Sequence, residues 1–198
     1  MTEPCSPRLT ITLVVILAAC TATAQEPSAR LPSELPKEKQ TKLGLYVTAK
    51  EAHDKWKAEP KKVIILDVRT PEEFVFVGHP DMALFVPFGL VSYEKDGDKS
   101  KCSIKPNPDF VAQVKTVART TDTVICMCRS GGRGALAVNL LADAGFKDVH
   151  NMVDGFEGDM VNDPSSVFHR KRMKNGWKNS GLPWNYDFDP EQMLLPKR

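Results

Sequence analysis

Thr123-Val124-Ile125-Cys126-Met127-Cys128-Arg129-Ser130-Gly131-Gly132-Arg133-Gly134 is the stretch that decides the fold. Thr123 to Met127 is an apolar run of strand length. Gly134 to Ala144 has helical spacing, with apolar Leu136, Leu140 and Leu141 and with Gly145 as its C-cap. A strand that hands over to a helix through a glycine-rich loop is the repeating unit of a parallel sheet. Cys128 stands at the hand-over, where the helix N-terminus and inward-facing backbone N–H groups favour an anion. Such a setting favours the thiolate, the nucleophilic form of cysteine. The stretch therefore points to a nucleophilic cysteine and a small anionic substrate.

The same grammar recurs on either side. Val63 to Asp67 reads as a buried parallel strand that ends in a carboxylate. Thr70-Pro71-Glu72-Glu73 follows with an N-cap, a proline at the first helical position and the far partner of a capping box. Leu45 to Val47 fits a short strand, after which Thr48 caps a helix through Trp56. Leu84 to Phe88 and Val149 to Val153 fit two more strands. Asn107-Pro108-Asp109 opens a helix to about Arg119, and Gly155 to Val161 is expected to begin another. The fold class is α/β: a mainly parallel five-stranded sheet with helices on both faces. Ligands of such sheets sit at the carboxyl ends of the strands, where Asp67 and Cys128 fall.

With 198 residues, 41% hydrophobic and 26% charged, the chain can bury one proper core. A net charge of +2 gives no drive toward nucleic acid. The basic cluster Arg170-Lys171-Arg172 with Lys174 lacks interleaved aromatics and reads as solvated surface. Near the N-terminus, Arg8 precedes an apolar stretch from Leu9 to Ala19, shorter than the ~20 residues a membrane span needs. Residues 1–24 read as an export signal ending at Ala22-Thr23-Ala24. Leu17-Ala18-Ala19-Cys20 offers an alternative lipobox that would end the signal at residue 19. Either product is periplasmic, and its one link to the membrane would be a lipid on Cys20. Residues 25–42 read as a linker and 43–187 as the domain, with insertions near 92–106 and 159–176. Residues 188–198 form a tail. Trp177, Trp184 and Tyr186 are expected to pack over the domain.

Of five cysteines, Cys102, Cys126 and Cys128 remain after export, an odd count that argues against a disulfide framework. Cys126 and Cys128, two apart on one strand, are about 6.5 Å apart with parallel Cβ vectors, poorly placed for a disulfide. Cys126 is therefore expected in the core. Zinc-ligand spacing is absent, and the glycine loop lacks the Lys-Ser/Thr ending of a nucleotide P-loop, so no metal and no cofactor is expected. His53, His79, His150 and His169 read as structural or exposed.

Five segments in order resemble a single rhodanese domain over roughly Leu43 to Pro183. They are Ile64 to Phe74, Gly78-His79, Cys128 to Arg133, Ala144 to Val149 followed by Asp154-Gly155-Phe156, and Trp177 with Gly181-Leu182-Pro183. Pro80 to Ala83 and the two insertions depart from the pattern. The resemblance implies sulfur transfer: Cys128 takes the outer sulfur of thiosulfate or a related small anionic donor, and a thiol or cyanide accepts it. In that reading Gly131 and Gly132 shape the loop, Arg129 or Arg133 binds the donor's oxyanion, and Ser130 adds a hydroxyl donor. Asp67 and Arg69 are expected to hydrogen-bond the underside of the loop. Two alternatives stay open. A sulfur carrier or interaction module of rhodanese type would share every site residue. A cysteine phosphatase or arsenate reductase would resemble C-x5-R, seven residues from Cys to Arg, whereas Cys128 to Arg133 spans six.

Overall fold

Thr48 and Thr70 start their helices as expected. Each side chain accepts the N–H of a glutamate three residues on, and that glutamate accepts the threonine's own N–H. The structure is a computed structural model that describes residues 34–196 apart from Asp98. The expected signal, Cys20 and the first part of the expected linker lie outside the described residues. The elements of the main sheet and its helices are β1 (Tyr46–Val47), α1 (Ala49–Ala58), β2 (Val63–Asp67), α2 (Pro71–Val77) and β3 (Leu84–Phe85), then α3 (Phe110–Val117), β6 (Thr123–Met127), α4 (Gly132–Asp143) and β7 (Val149–Met152). Between β3 and α3 lie β4 (Gly89–Asp96) and β5 (Lys99–Pro106).

The main sheet is parallel throughout, in the order β1-β7-β6-β2-β3. β2 and β6 run side by side from Val63 opposite Thr123 to Asp67 opposite Met127, so both chains leave the sheet at one level. Side-chain alternation splits the core in two. Leu66, Val124 and Cys126 face α3 and α4, against Phe110, Val114, Val138 and Leu141. Ile65, Ile125 and Met127 face α1 and the C-terminal segment, against Ala49, Ala52 and Trp177. Trp177 is fully buried and Trp184 partly so, whereas Tyr186 is exposed.

Local chemistry explains the departures from expectation. β3 stops at Phe85, two residues before Pro87, which has no N–H to offer a ladder. The 92–106 insertion is an antiparallel hairpin, β4 with β5, that begins at Gly89 and forms its own two-stranded sheet. Asn107 does not cap α3: its carbonyl oxygen accepts the Asp109 N–H and its amide donates to Pro87 and Gln113, an Asx turn ahead of the helix. In α4, Leu136 and Leu140 point outward, 53% and 43% exposed, and the inner face is Ala135, Ala137, Val138 and Leu141. Ala144, not Gly145, is the C-cap. Gly145 takes the next position at φ 97°, and the Phe146 N–H returns to the Leu141 carbonyl.

Residues 34–42 do not behave as a linker. Leu35 is buried, and Lys39 donates to the Val153 carbonyl at 2.8 Å and pairs with Asp159 at 2.9 Å. Lys42 pairs with Asp143 at the end of α4. Part of the expected tail also docks, with the Leu194 N–H on the Phe85 carbonyl beside the edge strand β3.

Candidate active site

Cys128 is the first residue beyond β6 and is 1% exposed. Its carbonyl accepts the Phe156 N–H at 2.8 Å, and the Arg129 carbonyl accepts the N–H groups of Glu157 at 3.0 Å and Gly158 at 3.2 Å. These bonds replace the helix expected over Gly155 to Val161. The N–H groups that follow Gly155 are engaged by the cysteine loop, and Gly155 and Gly158 have positive φ of 62° and 84°. A Cβ on Gly155 would overlap the Cys128 carbonyl oxygen and lie 2.6 Å from the Ser130 nitrogen. Gly155→Ala is accordingly expected to destabilise the protein by about 2 kcal/mol or more, read from its urea midpoint, and to slow reaction at Cys128.

Gly131, at φ 97°, is the N-cap of α4, and its N–H donates to Cys128 Sγ at 3.2 Å. This left-handed turn packs directly on the Val153 carbonyl, where no Cβ fits. The N–H groups of Arg129, Ser130, Gly132 and Arg133 find no acceptor among the described residues. The loop thus offers backbone donors at the positive end of a twelve-residue helix. Arg129 is exposed and Ser130 half-buried.

Arg133, expected as a ligand of the donor's oxyanion, has a partner within the protein. Its two terminal nitrogens both donate to Glu73 of α2, each at 2.6 Å, so its two-point partner is the protein's own carboxylate. Burial pushes the Glu73 carboxyl up, but the hydrogen bond and charge of Arg133 outweigh it and hold the group below the ordinary value. Burial likewise lowers Arg133, and Glu73 more than reverses it.

Asp67 and Arg69 are fully buried and pair with each other, with Nη2 to Oδ2 at 2.6 Å and Nε within 3.0 Å of both carboxylate oxygens. Arg69 also donates to the Gly78 carbonyl at 2.7 Å, and its guanidinium lies 4.2 Å from the Phe156 ring centroid. Their hydrogen bonds therefore run to α2 and Gly78 rather than to the loop, contrary to expectation. They reach it through Phe156, whose N–H holds the Cys128 carbonyl. Cys126 is fully buried in the core as expected, and burial pushes its thiol far up, reinforced by Cys128.

Two residues lie in motif segments whose pattern does not disclose their partners. Glu73 is visible in the sequence as half of a capping box, a local pattern that says nothing of Arg133, sixty residues away. Asp154 accepts the N–H groups of Ala49 at 2.8 Å and Gly176 at 3.2 Å, tying the start of α1 to the C-terminal segment behind the loop. Its sequence signals are its place in the Asp154-Gly155-Phe156 segment and just beyond the last strand.

Comparison with known proteins agrees with this architecture. The rhodanese-like domain profile matches residues 48–160. The chain is 34% identical over 118 residues to thiosulfate sulfurtransferase 16, chloroplastic, from Arabidopsis thaliana, covering 60% of this chain and 76% of that one. It is 32% identical over 125 residues to the uncharacterized protein RP600 of Rickettsia prowazekii, covering 62% and 82%. The crystal structure of Rv0390 from M. tuberculosis superimposes with a TM-score of 0.56 at 28% identity, over 71% of this chain and 96% of that one. A cysteine loop at the mouth of a five-stranded parallel sheet and a profile that matches more than half of the sequence lead to one assignment: the chain belongs to the rhodanese-like domain family.

Proposed function

We propose that this protein is a sulfurtransferase that carries sulfur on Cys128. The observation that carries the reading is the placement of Cys128 Sγ at the N-terminus of α4. It accepts the Gly131 N–H there, inside a loop whose other N–H groups have no acceptor among the described residues. The relative named as a thiosulfate sulfurtransferase supports thiosulfate, or a sulfur donor like it, as the substrate.

In the first step the Cys128 thiolate attacks the outer sulfur of thiosulfate. A new Sγ–S bond forms, the donor's S–S bond breaks, and its electron pair leaves with sulfite. The loop N–H groups receive the persulfide's charge. In the second step a thiol or cyanide attacks the outer sulfur and Cys128 departs as thiolate. The two half-reactions share one site, so the kinetics are ping-pong. Arg129, exposed and outside any ion pair among the described residues, is the loop cation available to the donor's oxyanion, with the Ser130 hydroxyl beside it.

Reduced protein incubated with thiosulfate is expected to gain one sulfur atom at Cys128 by peptide mass, with release of sulfite, and to lose it to cyanide. No gain on reduced, folded protein overturns the reading. Loading without turnover on cyanide or a cellular thiol makes the protein a carrier instead of an enzyme.

A further inference from the structure

Glu73 makes more contacts than a helix cap requires. One carboxylate oxygen accepts the Thr70 N–H at 3.0 Å, which closes the capping box of α2. The same carboxylate takes both terminal nitrogens of Arg133 at 2.6 Å, with the two side chains 19% and 18% exposed. The Glu73 backbone carbonyl lies 3.5 Å from Arg69 Nη1, so α2 meets the buried Asp67–Arg69 pair and the cysteine loop at one residue. Arg133 closes the six-residue run that begins at Cys128 and lies in the first turn of α4.

We propose that Glu73 is a positioning residue of the Cys128 loop. By holding Arg133 in a two-point ion pair, it keeps that guanidinium off the incoming anion and leaves Arg129 as the one loop cation that meets it. This inference rests on the reading of Cys128 as the reacting thiol. The charge around Cys128 follows from the elements packed on it. The loop itself contributes Arg129 and Arg133. β2 and its extension contribute Asp67 and Arg69, which neutralise each other, and α2 contributes Glu73. Beyond β7, Asp154 is engaged by two backbone N–H groups, and Glu157 follows. Cys126 of β6 stays protonated in the core. Removing the charge of Glu73 leaves Arg133 uncompensated in the first turn of α4, which favours negative charge on the loop, whether a bound anion or a thiolate.

The test is alkylation of Cys128 by iodoacetamide across pH, scored by peptide mass at that residue, in wild type, Glu73→Gln and Thr70→Ala. Thr70→Ala removes half of the α2 cap, Glu73→Gln keeps an oxygen that can accept the Thr70 N–H, and only Glu73→Gln removes the negative charge paired with Arg133. Glu73→Gln is expected to move the pH midpoint of alkylation down by about half a unit or more. Inorganic sulfate should then protect Cys128 several-fold better than it does in wild type. Thr70→Ala lowers the unfolding midpoint and leaves the pH midpoint in place. An unmoved midpoint in Glu73→Gln, or an equal shift in Thr70→Ala, makes Glu73 a cap and nothing more. A lowered midpoint without added sulfate protection overturns the claim that Glu73 keeps Arg133 off the anion. If Glu73→Gln does not fold, Glu73→Asp keeps the charge but shortens its reach, and improved sulfate protection is again the expected result and its absence the overturning one. Alkylation needs no sulfur donor. A protein that shows these shifts yet never loads sulfur from thiosulfate overturns the proposed function and leaves the role of Glu73 standing.

Discussion

Cys128→Ser is expected to abolish sulfur loading from thiosulfate and to lower turnover with cyanide by about three orders of magnitude or more, while leaving the fold intact. The physical reason is that an alcohol oxygen is a far weaker nucleophile toward sulfur than the soft, polarisable sulfur of a cysteine. The fold survives because Sγ has one hydrogen bond to keep, from the Gly131 N–H, and a serine oxygen can accept it. Cys126→Ser gives the opposite pattern. That thiol is fully buried among Leu66, Val124 and Val138, and burial keeps it protonated, so it cannot serve as a nucleophile. A polar hydroxyl buried there is expected to cost about 1–3 kcal/mol of stability, with sulfur loading preserved. Intact-mass loading and urea unfolding on the two variants separate the roles. If Cys126→Ser is the variant that fails to load while remaining folded, the nucleophile has been misassigned.

The strands and capped helices were legible because their determinants are local. Val63 to Asp67 and Thr123 to Met127 are apolar runs of the right length, and Thr70 with Glu73 is a capping box that needs no tertiary help. The position of Cys128 was legible for the same reason, since strand, glycine loop and helix are contiguous. What resisted reading depends on partners distant in sequence. The Arg133–Glu73 ion pair joins residues sixty positions apart, and no local pattern announces it. Gly155 to Val161 resembles a helix start until its N–H groups find the loop carbonyls. Residues 34–42 have a linker's composition, yet Leu35 is buried and Lys39 reaches Val153 and Asp159, partners that no local pattern announces. Leu136 and Leu140 illustrate the converse. Helical spacing marks them for the core, but the buried positions of α4 are Ala135, Ala137, Val138 and Leu141.

Arg69→Met is expected to destabilise the protein by about 3–5 kcal/mol, a large fraction of a small domain's total. Asp67 and Arg69 are both fully buried at the end of β2, and each is the other's charge compensation through three short hydrogen bonds. Methionine fills much of the arginine's volume, so the loss measures the carboxylate left in a dry site with the Arg69 backbone N–H as its remaining donor in that turn. The pair itself need not be stabilising: two apolar residues of similar size avoid the desolvation of two ions. Asp67→Leu with Arg69→Met is therefore expected to recover much of the lost stability, less the cost of the Gly78 carbonyl that Arg69 Nη2 had satisfied. Recovery of stability and recovery of function should then diverge. The guanidinium lies over the Phe156 ring, and the Phe156 N–H fixes the Cys128 carbonyl, so the apolar pair rebuilds the core without rebuilding the brace behind the loop. Urea midpoints close to wild type together with slower sulfur loading in the double variant are the expected combination. Full recovery of both would mean that the buried ion pair does not position Cys128 at all.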